Sequence, residues 1–311
     1  MSDAPDRVEQ RTQPAAHAAL FCVQLFFSTL PIAAKYHVLP YLPPAALVLL
    51  RVAGSAVVLL AVARLGGGSR IRDRRDLAKL ALYAALGVAA NQLLFIGGLS
   101  RTTPINAQVI GTTIPAFTLA FGALVGVDRV SPTRMAGILL AAAGAVYLVG
   151  PDRVQFTPDT TIGNAMIAAN ALAYSLYLVL SKPMLKKYDS LGVMVWVFFF
   201  GTLFVAPFGA VSAARSGAIA TMPLEAWLGL GFIILIPTVG AYALNAWALR
   251  RSAPSVVASY VYLQPLITGA IAVAVQNEPI DPRAIPATLL IFAGVALTTR
   301  PIIQPAPAAG D

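Results

Sequence analysis

Apolar runs of about 20 residues follow one another almost without pause from His17 to Arg300, and this constrains the fold more than any other feature of the chain. A backbone inside hydrocarbon must satisfy its own N–H and C=O groups, so runs of this length fold as bilayer-spanning helices. Breaking the sequence at its charged and Pro/Gly-rich points predicts ten spans, at residues 17–36, 44–63, 77–99, 104–126, 132–150, 160–181, 190–212, 224–249, 254–275 and 283–299. Only 11% of residues are charged, against about 25% in soluble domains, so no separate soluble domain is expected. Residues 1–16 mix Asp3, Asp6 and Glu9 with Arg7 and Arg11 and lack the basic opening of a secretory signal, so they read as a tail, with residues 301–311 as its counterpart.

The net charge of +9 does not point to nucleic acid, because the basic residues sit between the apolar runs and form no broad face interleaved with aromatics. They alternate by side instead. One set of segments holds Arg7 and Arg11, the cluster from Arg64 to Lys79, Arg129 and Arg134, Lys182, Lys186 and Lys187, Arg250 and Arg251, and Arg300. The other set holds only Arg101, Arg153, Arg215 and Arg283. The positive-inside rule then predicts an integral plasma (inner) membrane protein with both termini in the cytoplasm.

Displacing the sequence by 150 residues superposes Leu99 on Leu249, Arg101 on Arg251, Pro104 on Pro254, Pro115 on Pro265, Asp128 on Glu278, Pro132 on Pro282 and Gly144 on Gly294. The registered prolines and glycines and the acidic pair carry the match, since Ala and Leu coincide freely in such a composition. Span four falls on nine and five on ten, so the repeating unit is five helices. Five is odd. The second copy must therefore enter the membrane upside down, which predicts an all-α membrane protein of ten transmembrane helices in two inverted five-helix repeats. The expected organisation is residues 17–150 and 160–300 for the repeats, with the two tails outside them.

This pattern resembles the drug/metabolite transporter superfamily and specifically its EamA branch. The resemblance rests on the stretch from Pro104 to Gly144, with Pro115 and Asp128-Arg-Val-Ser, and on its copy from Pro254 to Gly294, with Tyr262-Leu-Gln-Pro265 and Asn277-Glu278-Pro279-Ile280. Lys35 and Lys182, ending the first helix of each half, and Arg51 in span two also look like that branch. Asp128 stands where such families usually carry Glu. The resemblance implies secondary transport or exchange of small metabolites, commonly export, and names no particular solute.

All 13 acidic residues lie in tails, loops or span ends, so no carboxylate is expected near the bilayer midplane. The ionisable side chains inside or bordering spans one and two are Lys35 and Arg51. Arg51 stands about 10 Å into span two, where a charge must face protein or a wet cavity or snorkel outward. Polar residues at helical spacing form further stripes, each serving either interhelical bonding or a solute. They are Ser28 with Gln24 and Lys35 in span one; Gln108 and Thr112 in span four; Asn170, Tyr174 and Tyr177 in span six; Thr238, Tyr242 and Asn245 in span eight; Ser259 and Tyr262, with Ser255, in span nine. Together with Arg51 these are the candidate solute-binding residues, suited to a neutral, zwitterionic, aromatic or carboxylate-bearing metabolite, amino acids included. Pro31, Pro115, Pro207, Pro237 and Pro265 invite kinks within spans, whereas Gly137, Gly144, Gly201 and Gly209 favour close helix contact.

Competing classes lack their chemistry. A polytopic enzyme needs a nucleophile, metal or acid/base constellation, yet His17 and His37 sit at opposite ends of span one, Cys22 is the single cysteine, and neither HExxH nor GxSxG occurs. Gly66-Gly67-Gly68 has no following Lys-Ser/Thr for a phosphate loop. No cofactor is expected. The expected partners are a small-molecule substrate and membrane lipid, with a coupling ion or exchanged solute left open, no nucleic acid, and no feature indicating a homo-oligomer. Secondary export or exchange by alternating access is the leading expectation, with metabolite uptake as the alternative.

Overall fold

Polar caps placed at the ends of apolar runs decide where each helix begins. In the computed structural model, which describes residues 14–66, 70–154, 157–276 and 282–300, Asp73, Thr103, Ser131, Thr157 and Asp189 each accept a hydrogen bond from a first-turn backbone N–H. Such caps satisfy donors that a helix cannot satisfy itself. The helices that result are α1 (Pro14–Val38), α2 (Pro44–Gly66), α3 (Arg74–Leu99), α4 (Pro104–Gly111 continued by Ile114–Val125), α5 (Pro132–Val149), α6 (Pro158–Lys187), α7 (Ser190–Ser216), α8 (Leu224–Arg251), α9 (Pro254–Ser259, a 3-10 turn at Tyr260–Leu263, then Gln264–Gln276) and α10 (Ala284–Thr299). Among the described residues there is no strand. Eight helices are individually long and apolar enough to cross a membrane. The broken α9 and the 16-residue α10 complete the two repeats.

The expected spans correspond to helices, several of which run a few residues past their expected ends, as α2 does to Gly66 and α7 to Ser216, and α6 runs furthest. α6 continues past residue 181, through Pro183, to Lys187. Its last turns are basic, and Lys187 and Tyr188 both bind the buried Asp76 of α3, at 2.5 and 2.7 Å. Hydropathy marks where lipid stops, but hydrogen bonding to neighbours carries the helix further.

The two halves repeat in backbone as well as sequence. α3 runs as an α-helix over Arg74–Ala84, widens to a π-helix over Ala85–Ala90 and resumes at Asn91. α8 does the same over Leu224–Ile234, Leu235–Gly240 and Ala241 onward. Each boundary follows its partner by 150 residues.

The packing is that of an inverted pair. α5 lies on α10 and α2 on α7, while α3 packs on α6 as α8 packs on α1. A Cβ at Gly137 would stand 2.6 Å from the Gly294 carbonyl oxygen, and one at Gly144 3.1 Å from that of Ala287. Residues 137 and 287, and 144 and 294, are equivalent in the repeats, so these are one contact seen twice across a pseudo-two-fold axis. Gly201 against Val88 and Gly209 against Leu49 make the same close approach, as the sequence led us to expect. Both chain ends described, Pro14 and Arg300, lie at one end of the bundle, called the terminal end below; the other is the far end.

Candidate solute site

Arg51 is the most deeply placed charge among the candidate residues of α2 and its neighbours. It lies on α2, about 10 Å past the helix start at Pro44, and is 4% exposed. Its Nε donates to Thr238 Oγ1 at 2.6 Å, and the threonine hydroxyl donates to the Ile233 carbonyl at 2.7 Å. Thr238 occupies the π-helical segment of α8, beside Pro237. Among the described residues no carboxylate pairs with Arg51. Burying an unpaired cation at this depth costs about 2.5–3.5 kcal/mol.

Tyr242, one turn further along α8, sits next to this pair and is packed edge-on by Phe27 and Phe198, with centroid separations of 5.7 and 5.2 Å. Its hydroxyl reaches the Asn91 side-chain oxygen at 3.4 Å and the Gly87 carbonyl at 3.5 Å. Both acceptors lie in or just after the π segment of α3. Asn170 of α6 donates to the Asn91 carbonyl at 2.6 Å, and Asn245 donates to the Tyr174 hydroxyl at 3.3 Å. Tyr174 stacks on Tyr177, whose ring blocks any side chain at Gly87. Arg51, Thr238, Tyr242, Asn245, Asn170, Tyr174 and Tyr177 therefore belong to one connected, aromatic-walled network built by α2, α3, α6 and α8.

The remaining candidates separate from it. Tyr262 donates to the Thr112 carbonyl at 3.0 Å, joining the breaks of α4 and α9 at equivalent positions of the two repeats and hence at the pseudo-two-fold axis. Gln108 is half-buried on α4, and Ser259 bonds back to Val256 within α9. Ser28 is buried in α1, and its hydroxyl has no partner among the described residues. The side chain of Lys35 and the whole of residues 277–281, Glu278 included, lie outside the described residues. Of the in-span prolines, Pro115, Pro237 and Pro265 coincide with helix breaks or a π segment, while Pro207 sits in unbroken α-helix. Sequence periodicity passed over Asn91, Gln92 and Gln264. A π segment immediately precedes Asn91 and Gln92 and rotates them away from the face that a regular helix would give them, and Gln264, which donates to Gln24 of α1 at 2.8 Å, follows a 3-10 turn.

A model of the EamA-like transporter family matches residues 15–150 and again 161–300. The chain belongs to the EamA-like transporter family. Relatives of this EamA chain include an uncharacterized transporter of Archaeoglobus fulgidus, 30% identical over 71% of this chain and 75% of the relative. A probable terminal-alkyne amino-acid exporter of Streptantibioticus cattleyicolor is 27% identical over 79% and 80% of the two chains. A solved crystal structure, 21% identical, superposes with a TM-score of 0.74 over 91% of this chain and 96% of that one; it bears on the EamA fold alone. The family and its relatives make this a membrane transporter of small molecules in a lipid environment.

Proposed function

We propose that this EamA protein is a secondary carrier that exports or exchanges a small carboxylate-bearing metabolite, amino-acid-like or aromatic, by alternating access. The observation that carries the reading is the buried Arg51 guanidinium, held by a neutral hydroxyl and paired with no carboxylate among the described residues. A solute carboxylate supplies the missing counter-charge through a planar, two-pronged contact that arginine favours. Tyr242, Phe27 and Phe198 offer an aromatic wall beside it, and the Asn91, Asn170 and Asn245 amides a polar end for an amino group or hydroxyl. The terminal end faces the cytoplasm of a plasma (inner) membrane, because it gathers most of the arginines and lysines of the loops. The two five-helix repeats, residues 17–150 and 160–300, act as the inverted elements whose rocking exposes the site to each side in turn. The printed name of the Streptantibioticus relative, an amino-acid exporter, supports both the direction and the solute class.

The test is counterflow in liposomes containing the full chain, with a panel of amino acids, aromatic acids, sugars and nucleobases. Accelerated exchange confined to carboxylate-bearing solutes is expected. Exchange of sugars or nucleobases with no effect of the acids would overturn the solute class, and no exchange by folded protein would overturn the carrier reading.

A further inference from the structure

The terminal end of the bundle holds a cluster that the solute site does not use. Asp128, in the loop between α4 and α5, is 7% exposed. One of its carboxylate oxygens accepts from Arg134 and from the Arg129 backbone, and the other accepts from the Ser255 backbone N–H in the first turn of α9, at 2.9 Å. This last bond ties the first repeat to the second. Three carbonyls just across the α8–α9 turn, those of Leu249, Arg250 and Ser252, are taken by the buried Lys182 ammonium. A carboxylate thus holds one unsatisfied donor at the start of α9, the Ser255 N–H, while an ammonium holds acceptors at the end of α8 and in the turn. We infer that Asp128 and Lys182 form a latch that locks the α8–α9 turn shut at the cytoplasmic end of the carrier, and that releasing it admits solute from that side; this rests on the alternating-access reading above.

Two independent observations support it. The first is the asymmetry between equivalent segments. Ser259, Tyr260, Tyr262 and Leu263 of α9 are buried, whereas their counterparts Val109, Ile110, Thr112 and Thr113 of α4 are only half-buried. An inverted repeat that exposes one copy and seals the other is closed at the sealed copy's end, here the terminal one. The second is the location of unpartnered polar groups. Among the described residues, buried side-chain polar atoms without a hydrogen-bond partner belong to Ser28 and Gln92, within spans, and to Arg134, Ser181, Ser190, Ser252 and Ser255, all at the terminal end. Polar groups sealed without partners lose their hydration for no return. Their concentration at one end is what a surface that is wet in another conformation would leave when it closes. At the far end the corresponding turn is held by Asn164, whose side-chain oxygen accepts from Thr102 at 2.5 Å and from Asn106 at 3.1 Å, and by an exposed Arg101–Asp159 pair at 3.4 Å.

The test reads which side is open in the full chain reconstituted in vesicles. With Cys22 replaced by Ala, single reporters are placed by Ser259→Cys on α9 and Val109→Cys on α4 and challenged with a membrane-impermeant thiol reagent from either side. Asp128→Asn is expected to raise cytoplasmic labelling at position 259 about fivefold or more and to lower external labelling at position 109. Gly122→Ala should act in the same direction without changing charge, since its Cβ would stand 2.7 Å from that of Asp128 and displace the loop. Asn164→Ala should shift both reporters the opposite way. Lys182→Met serves if Asp128→Asn does not fold. Unchanged labelling in folded Asp128→Asn and Gly122→Ala, or a rise at both reporters together, overturns the latch. Wild-type counterflow alongside separates the two claims: flux without a labelling shift sinks the latch alone, and a paired shift without flux sinks the carrier reading alone.

Discussion

Replacing Arg51 by Met sets the two uses of a buried cation against each other, because stability and transport should respond differently. The guanidinium costs about 2.5–3.5 kcal/mol to hold at its depth. In return, its side-chain bond to Thr238 contributes about 1.5–3 kcal/mol as a charged hydrogen bond. Met fills similar space without the charge, and Thr238 keeps its bond to the Ile233 carbonyl. Net stability should therefore move by no more than about 1–2 kcal/mol in either direction, and a melting curve in detergent should shift by only a few degrees. Solute affinity should respond far more. Losing one partner of a desolvated charge pair costs about 2–5 kcal/mol, which at 1.4 kcal/mol per decade is roughly thirtyfold or more in the half-saturating concentration for counterflow. Arg51→Lys should fall between, keeping the charge but not the two-pronged geometry. The reasoning is refuted if Arg51→Met melts far below wild type while its half-saturation is unchanged, for Arg51 would then be a strut between α2 and α8.

Three further outcomes can be checked. Gly294→Ala places a Cβ 2.5 Å from the Ala141 backbone nitrogen and 2.6 Å from the Gly137 carbonyl oxygen; neither can yield locally, so a loss of about 1–3 kcal/mol is expected in thermal unfolding. Tyr242→Phe removes the long bonds to Asn91 and Gly87 but keeps the packing on Phe27 and Phe198, so stability should change by about 1 kcal/mol or less, with any larger effect confined to transport. The Arg283 guanidinium, 2.9 Å from Asp152, holds that carboxyl below its ordinary value of 3.8; a depressed folded-state pKa contributes stability above the ordinary value and loses it as pH falls. The melting difference between wild type and Asp152→Asn should accordingly be constant near neutrality and disappear in acid, and a difference that persists in acid would exclude the contact as its source.

Much of the fold was legible because the bilayer restricts the choices. Gly137 and Gly144 were readable as contact points, and the structure places both against α10. The site was legible residue by residue but not as an assembly. Arg51 and Thr238, Tyr174 and Asn245, and Asn170 and Asn91 lie far apart in sequence, and hydropathy says nothing of which helix faces which. Asn91 and Gln92 escaped notice because the preceding π segment breaks the periodicity by which polar faces are recognised. The stripes on α4 and α9 lie on helices that the register of 150 residues makes equivalent, and they meet at the axis through Tyr262 and Thr112 rather than joining the network around Arg51.

By itself the sequence determined membrane residence, the ten spans and the inversion of the halves, since each follows from local hydropathy, length and an odd helix count in a register of 150 residues. Only the tertiary structure decided which polar side chains converge, that the π segments recur in both repeats, and that the α8–α9 turn is clasped by Asp128 and Lys182. These depend on the rotation of each helix about its axis and on contacts between distant residues, which interhelical packing sets and no local pattern encodes.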